Sequence, residues 1–333
     1  MDKAAREIVL RADGDSGIGM GHITRLLAMA EMLNGSFRIR FATRNRMDST
    51  IRKIKNICDD LHILSEDEKH YSEFINLLSG DEIVVLDNYF FSGEYQEIIR
   101  NKGCSLVCID DIHDRHYFAD IVINHSPGIE AEAISAEAYT SILSGPDYAV
   151  LRRPFLLAAR SLSEIVREGS VFVCFGGSDP YNLTLKVVKS LVNIIGNRNI
   201  IAVTGSSYRH SGELGDFIRG KSNIALYSDL SAEEMVALIR KSELAIVPAS
   251  SILMEVLCFN IKVITGFYAD NQKQLARGIE GYRPVTSLGD FRDLSVEKLS
   301  AAADAALNTE PGQFERIIDG NSDARIRQSI LSI

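Results

Sequence analysis

Two hydrophobic periods alternate along the chain. Short, near-continuous apolar runs recur as EIVLRAD, FRIRFAT, EIVVLDN, SLVCIDD, DIVINH, VFVCFGG, IIAVTGS, LAIVPAS and KVITGF. Such runs suit strands of a parallel sheet, because a strand covered on both faces has no polar face to alternate with. Longer stretches between them carry apolar residues at helical spacing, as in ITRLLAMAEML after the first run. Strands alternating with helices predict an α/β architecture with right-handed crossovers. The pattern runs through DIVINH, pauses over residues 126–150 and restarts at VFVCFGG. Two doubly wound, Rossmann-like domains are therefore expected, at 1–155 and 156–333. The boundary is placed around LRRPFLLAARSLSEIVREGS, and the last helix is expected to pack back on the first domain. Sheets of this kind bind ligands outside the carboxyl ends of their strands, so candidate residues are sought there.

The composition narrows the classes. Of 333 residues, 46% are hydrophobic and 24% charged, which is ordinary for a globular protein. A net charge of −9 argues against nucleic acid, whose binding rests on Lys and Arg at phosphates. No apolar run approaches the roughly 20 residues a membrane span needs. The charged N-terminus leads straight into the first strand, so a cytoplasmic protein without membrane insertion is expected. Cys58, Cys104, Cys108, Cys174 and Cys258 mostly sit in apolar runs and read as reduced core thiols.

Candidate chemistry gathers at the strand-to-helix corners. The first corner reads GDSGIGMGHITRL, with Gly17, Gly19 and Gly21 alternating and His22 immediately after. Glycine lets backbone approach a ligand closely, and the following helix offers unpaired N–H groups. The helix dipole disfavours a cation at His22, so a neutral imidazole able to act as a general base is expected. The spacing is not the G-x-G-x-x-G of dinucleotide binding. Arg25 shares a helical face with His22, to orient a ligand or to pair with an acid such as Asp13.

The corner FGGSDPYN supplies Gly177 and Asn182, while Asp179 with Pro180 reads as a helix cap. In VPASSILMEVL, Ser250 and Ser251 precede a helix, and Glu255 lies four residues after Ser251. A capping box requires a spacing of three, so Glu255 is read as a ribose ligand instead. Asn271 and Gln272 follow KVITGF in a loop, in reach of ligand hydroxyls or as turn residues. DNYF places Tyr89 at another strand end. The loop DDIHDRH offers acids and histidines, but such loops are commonly acidic, and no metal is assigned to it.

Taken together, these segments resemble the UDP-2,4-diacetamido-2,4,6-trideoxy-β-L-altropyranose hydrolase family of pseudaminic acid biosynthesis, within the MurG-like GT-B superfamily. RADGDSGIGMGHITRLLAMAEML matches its opening signature, and LDNYF, IDDIHDRHYFADIVINHS, GPDYAVLRRPF, FGGSDPYN and PASSILMEVL with NQ follow in family order. DGNSDARI, at 319–326, resembles its ending. The resemblance implies a GT-B fold, two Rossmann-like domains facing across a cleft. It implies metal-independent, inverting hydrolysis of a UDP-sugar with no cofactor, by a monomer or weak homodimer. It makes His22 the base that activates water and Tyr89 the residue that positions water or sugar. Gly19 and Gly21 lie against the diphosphate, with Arg25 nearby. Ser250, Ser251 and Glu255 form the UDP site, and Asn271 and Gln272 face the sugar. Gly177 and Asn182 belong to the glycine motif. Two departures stand out: a charge at Asp15 in the first loop, and Cys258–Phe259–Asn260 where many relatives carry a Leu-x-Pro turn.

Three other readings compete. A glycosyltransferase on the same scaffold would direct the base at an acceptor hydroxyl. A non-catalytic nucleotide-sugar binder would hold UDP without turnover. An NAD-dependent oxidoreductase is disfavoured by the glycine spacing.

Overall fold

A computed structural model describes residues 6–14, 19–161, 168–309 and 316–333. Gly17 and Asp15 lie outside the described residues. The chain divides into two compact units, Met1–Arg153 with Asn321–Ile333, and Pro154–Gly320.

In the first unit the elements run β1 (Glu7–Ala12), α1 (Gly21–Leu33), β2 (Arg38–Thr43), α2 (Asp48–Ile57), β3 (Asp60–Ile63), α3 (Lys69–Leu77), β4 (Ile83–Asp87), α4 (Gly93–Asn101), β5 (Ser105–Ile109), β6 (Ile121–Asn124) and β7 (Ser141–Ser144). Among the described residues these strands form one parallel sheet in the order β3-β2-β1-β4-β5-β6-β7. The chain winds outward from β1 on one side and then from β4 on the other. The reversal between β1 and β4 opens the sheet where Ala12 pairs with Asp87. As suits the central strands of a parallel sheet, β4 is buried along its whole length, and β1 nearly so. Between sheet and helices a core gathers around Val9, Phe74, Val84, Leu106 and Val122.

The second unit continues with α5 (Arg153–Arg160), β8 (Ser170–Cys174), α6 (Leu183–Leu191), β9 (Ile200–Thr204), α7 (Ser211–Ile218), β10 (Ile224–Ser228), α8 (Ala232–Arg240), β11 (Ser242–Ile246), α9 (Ser251–Leu257), β12 (Lys262–Phe267), α10 (Lys273–Gly278), β13 (Val285–Asp290) and α11 (Val296–Asn308). Its parallel sheet has the order β10-β9-β8-β11-β12-β13, reversing between β8 and β11. Phe175 and Phe291, edge-to-face at 5.1 Å, anchor the core under that reversal. The final helix, α12 (Ser322–Leu331), belongs to the first unit. There Arg327 donates to the Met32 carbonyl and Ser322 to the Ala149 carbonyl.

Four strands lie beyond the nine apolar runs: β3, β7, β10 and β13. All are sheet edges with one flank open, and all carry exposed or half-buried positions. β7 falls inside the pause at 126–150. An edge strand meets water on one side and needs no continuous apolar run.

Candidate functional site

In the first unit, Gly14 after β1 and Gly19 before α1 lie close together. A side chain on Gly14 would put Cβ 2.7 Å from the Gly19 carbonyl, so this corner closes only with glycine. Gly19 has φ +86°, a conformation other residues rarely adopt. Gly21 has neither constraint: a Cβ there meets nothing within 4 Å among the described residues. Its lack of a side chain is not a demand of the described fold. One residue on, His22 is buried in the first turn of α1.

His22 is held from the neighbouring strand. Its Nδ1 lies 2.7 Å from Asp87 Oδ1, at the end of β4. Arg25 Nη2 also comes within 3.3 Å of that nitrogen. Both cannot be hydrogen bonds of one Nδ1, because the first needs N–H and the second a lone pair. The carboxylate contact is much the shorter, so Nδ1–H donates to Asp87 and the lone pair sits on Nε2.

Arg25 does not pair with Asp13. It spans two other acids, donating through Nε and Nη2 to Asp87 at 2.7 and 2.6 Å and through Nη1 and Nη2 to Asp111 at 2.5 and 2.8 Å. Burial would raise both carboxyls, but Arg25 outweighs it and holds both below the usual range. Asp13 instead takes Arg11 and Arg44, and the Tyr89 hydroxyl donates to Asp111 Oδ2 at 3.2 Å. The Tyr89 ring stands edge-on to His22, with centroids 4.7 Å apart. His22, Arg25 and Tyr89 thus meet, joined by Asp87 and Asp111, which the sequence reading left without roles. His125, also unassigned, is buried beside them. Burial, with Arg25 adding to it, lowers its imidazole to about 4.

The DDIHDRH side chains turn to different partners. Asp110 accepts from the Ile112 and His113 amides, Tyr117 and Asn124. Asp111 meets Arg25, and His116 contacts Ser135 and Glu137.

In the second unit, β8 ends at the Gly176–Gly177 turn. A Cβ on Gly205 would come 2.5 Å from Gly177 Cα, whereas one on Gly177 would meet nothing within 4 Å. Gly205 is therefore fixed by packing and exposed Gly177 is not. Asp179 accepts from the Leu183 and Thr184 amides, both at 2.8 Å, and so caps α6 from outside the helix. The position before the first helical residue is Asn182, in a left-handed conformation. The Asn182 side chain is engaged locally, accepting from Tyr208 at 2.5 Å and donating to Glu213 at 3.2 Å. Ser250 and exposed Ser251 begin α9, and Glu255 is buried one turn in. Buried Gln272 accepts the Tyr268 amide at 2.9 Å, fixing the loop after β12, while Asn271 is exposed. Among the described residues no helix is long and apolar enough to cross a membrane.

No family model matches the chain. An uncharacterized protein of Methanocaldococcus jannaschii is 26% identical over 281 residues, 80% of this chain, and the chain spans 57% of that protein's length. The UDP-2,4-diacetamido-2,4,6-trideoxy-beta-L-altropyranose hydrolase of Campylobacter jejuni is 28% identical over 277 residues, covering 81% of this chain and 94% of the hydrolase. The crystal structure of Acinetobacter baumannii MurG superposes with a TM-score of 0.68 at 12% identity, over 98% of this chain and 100% of that one. This chain is similar to the hydrolase and has the GT-B fold. The likeness to MurG carries the fold alone; the likeness to the hydrolase runs through both units of the GT-B chain.

Proposed function

We propose that the protein is a metal-independent, inverting hydrolase of a UDP-linked 2,4-diacetamido-2,4,6-trideoxyhexose of the altrose type, releasing UDP and the free sugar. The observation that carries this reading is the His22–Asp87 pair: with Nδ1–H on Asp87, Nε2 is a lone-pair base. Nε2 takes a proton from water, the water oxygen attacks the anomeric carbon from the face opposite UDP, and the bond from that carbon to the diphosphate oxygen breaks. UDP leaves with the bonding electrons.

The charges support this direction of proton flow. Asp87, Asp111 and Arg25 together carry one negative charge when His22 is neutral and one compensated charge once it has accepted the proton. Arg25 acts by holding the two carboxylates. Tyr89 stands beside the base to orient the water or sugar. Gly19 and Gly21 give backbone access to the sugar diphosphate.

The second unit is assigned the nucleotide. Glu255 accepts the ribose hydroxyls, Ser250 and Ser251 face the diphosphate, Gly177 gives backbone access, and Asn271 and Gln272 address the sugar. Asn182 shapes the corner through Tyr208 and Glu213. These assignments rest on the resemblance of the motifs and on the name of the Campylobacter jejuni relative. The test is release of UDP from that nucleotide sugar with no acceptor present. Binding without release would favour the glycosyltransferase reading.

A further inference from the structure

A cavity of about 520 Å³ lies past the carboxyl ends of β1, β2 and β3, and its lining includes Asp13, Gly14, Arg44, Arg46, Met47 and Glu66. In the sheet order β3-β2-β1-β4-β5, His22, Asp87 and Asp111 gather toward β4 and β5 instead, so the cavity and that cluster flank β1. The volume falls within the roughly 300–1,000 Å³ of small-molecule sites.

Two guanidiniums reach the cavity with donors to spare. Arg44 Nε donates to Asp13 Oδ2 at 2.6 Å, and Nη1 lies 3.4 Å from the Glu66 carbonyl oxygen. The head group stands 5.0 Å from the Phe90 ring centroid. Arg46 Nε lies 3.1 Å from Glu66 Oε1, and Nη2 donates to the Leu64 carbonyl at 3.2 Å. Among the described residues, Arg44 Nη2 and Arg46 Nη1 have no hydrogen-bond partner. The contacts each arginine does make restrain it before any ligand arrives, which lowers the ordering cost of binding.

The charges around the cavity do not cancel. Asp13 accepts from both Arg11 and Arg44, and Glu66 meets Arg46, so three guanidiniums face two carboxylates. Burial would raise Asp13, but Arg11 and Arg44 outweigh it and hold the carboxyl at about 2. The surplus cation is felt at His70, whose Nδ1 lies 3.2 Å from Arg11 Nη2. Burial lowers its imidazole, and Arg11 and Arg44 lower it by more than Asp13 and Glu73 raise it. Guanidinium forks match the oxygens of carboxylate and phosphate. The hexose of the substrate proposed above carries no charge, and its diphosphate is assigned elsewhere, so that substrate leaves these donors unused.

We propose that this cavity binds a second small molecule, of sugar size, through a carboxylate or phosphate, with Arg44 and Arg46 donating to the oxyanion and exposed Met47 packing on the carbon body. The inference goes beyond the hydrolase reading and does not depend on it, since it concerns binding and not release of UDP.

The test is calorimetric titration of the whole chain, at constant ionic strength, with glucuronate, glucose 6-phosphate and neutral glucose. At least one charged sugar is expected to bind roughly tenfold or more tightly than glucose, as hydrogen bonds to an ionised group allow. Which of the two binds more tightly tells carboxylate from phosphate. Arg46→Gln is expected to weaken that binding roughly tenfold. Glu66→Gln removes the carboxylate that competes for Arg46 and is expected to strengthen it several-fold, a gain that a damaged fold would not produce. Both side chains are exposed, so neither change opens the core. Saturating UDP is expected to leave the affinity unchanged.

Failure of both charged sugars to bind, or equal binding of glucose, would overturn the proposal. So would an affinity that Arg46→Gln does not lower or that Glu66→Gln does not raise. Displacement by UDP would overturn it too, by making the cavity part of the nucleotide site.

Discussion

His22 Nδ1 and Asp87 Oδ1 stand 2.7 Å apart, although 65 residues separate them in the chain. The contact joins the first turn of α1 to the end of β4, across the point where the first sheet reverses its winding. It decides which imidazole nitrogen can take a proton, and the chemistry proposed for the site follows from it.

Asp87→Asn keeps the shape and removes the charge that fixes the tautomer. Turnover is expected to fall by on the order of a hundredfold or more, with UDP affinity nearly unchanged. Asp87→Ala is expected to behave differently, because it strips one of two acids from a buried guanidinium. Breaking a buried pair in this way costs about 3–5 kcal/mol, so the alanine variant is expected to lose stability in urea titration as well as activity.

Gly21→Ala separates fold from function. With open space around the added methyl among the described residues, and φ outside the left-handed region, the change is expected to leave stability unaltered or raise it by about 0.4–1 kcal/mol. If the sugar diphosphate approaches this backbone, kcat/KM is expected to drop at least tenfold in the same variant. Unchanged kinetics would remove Gly21 from the site.

Glu255→Ala is expected to weaken UDP binding about tenfold or more in calorimetry, since a ribose contact is made equally in ground and transition states. Turnover at saturating substrate is expected to hold. A loss confined to kcat would reverse the roles assigned to the two units.

Acid stability carries the signature of His125. Burial lowers it from an ordinary 6.5 to about 4, so the unfolded chain takes up the proton first as pH falls. The contribution is complete above pH 6.5, shrinks between 6.5 and 4, and is constant below. At about 1.4 kcal/mol per unit, the loss is about 3 kcal/mol. His70, lowered to about 4 by burial with Arg11 and Arg44, adds a slope in the same window. His125→Gln is expected to remove about one proton's share of the slope in unfolding free energy measured from pH 7 to 4. An unchanged slope would contradict the assignment.

The interior strands were readable from sequence because burial on both faces leaves an apolar run with no alternation. The edges β3, β7, β10 and β13 were not, since open flanks admit polar residues such as Asp60, Ser141, Ser228 and Asp290. Glycine loops and the histidine after them stand together in sequence, so the corners could be found. Asp87 and Asp111 lie 62 and 86 residues from Arg25, and only the winding of the sheet brings them to it. Their one signal was position, as acids just past apolar runs at the ends of β4 and β5. Asn182 shows the converse: it lies inside a recognisable motif, yet Tyr208 and Glu213 occupy its side chain.

The most direct measurement is release of UDP from UDP-2,4-diacetamido-2,4,6-trideoxy-β-L-altropyranose by the parent protein and His22→Ala, with chelator present and no acceptor. Rapid release by the parent, reduced on the order of a hundredfold or more in the variant while UDP affinity holds, is the expected result. Equal release by both proteins, or UDP bound without release by the parent, would contradict His22 as the base of a hydrolase.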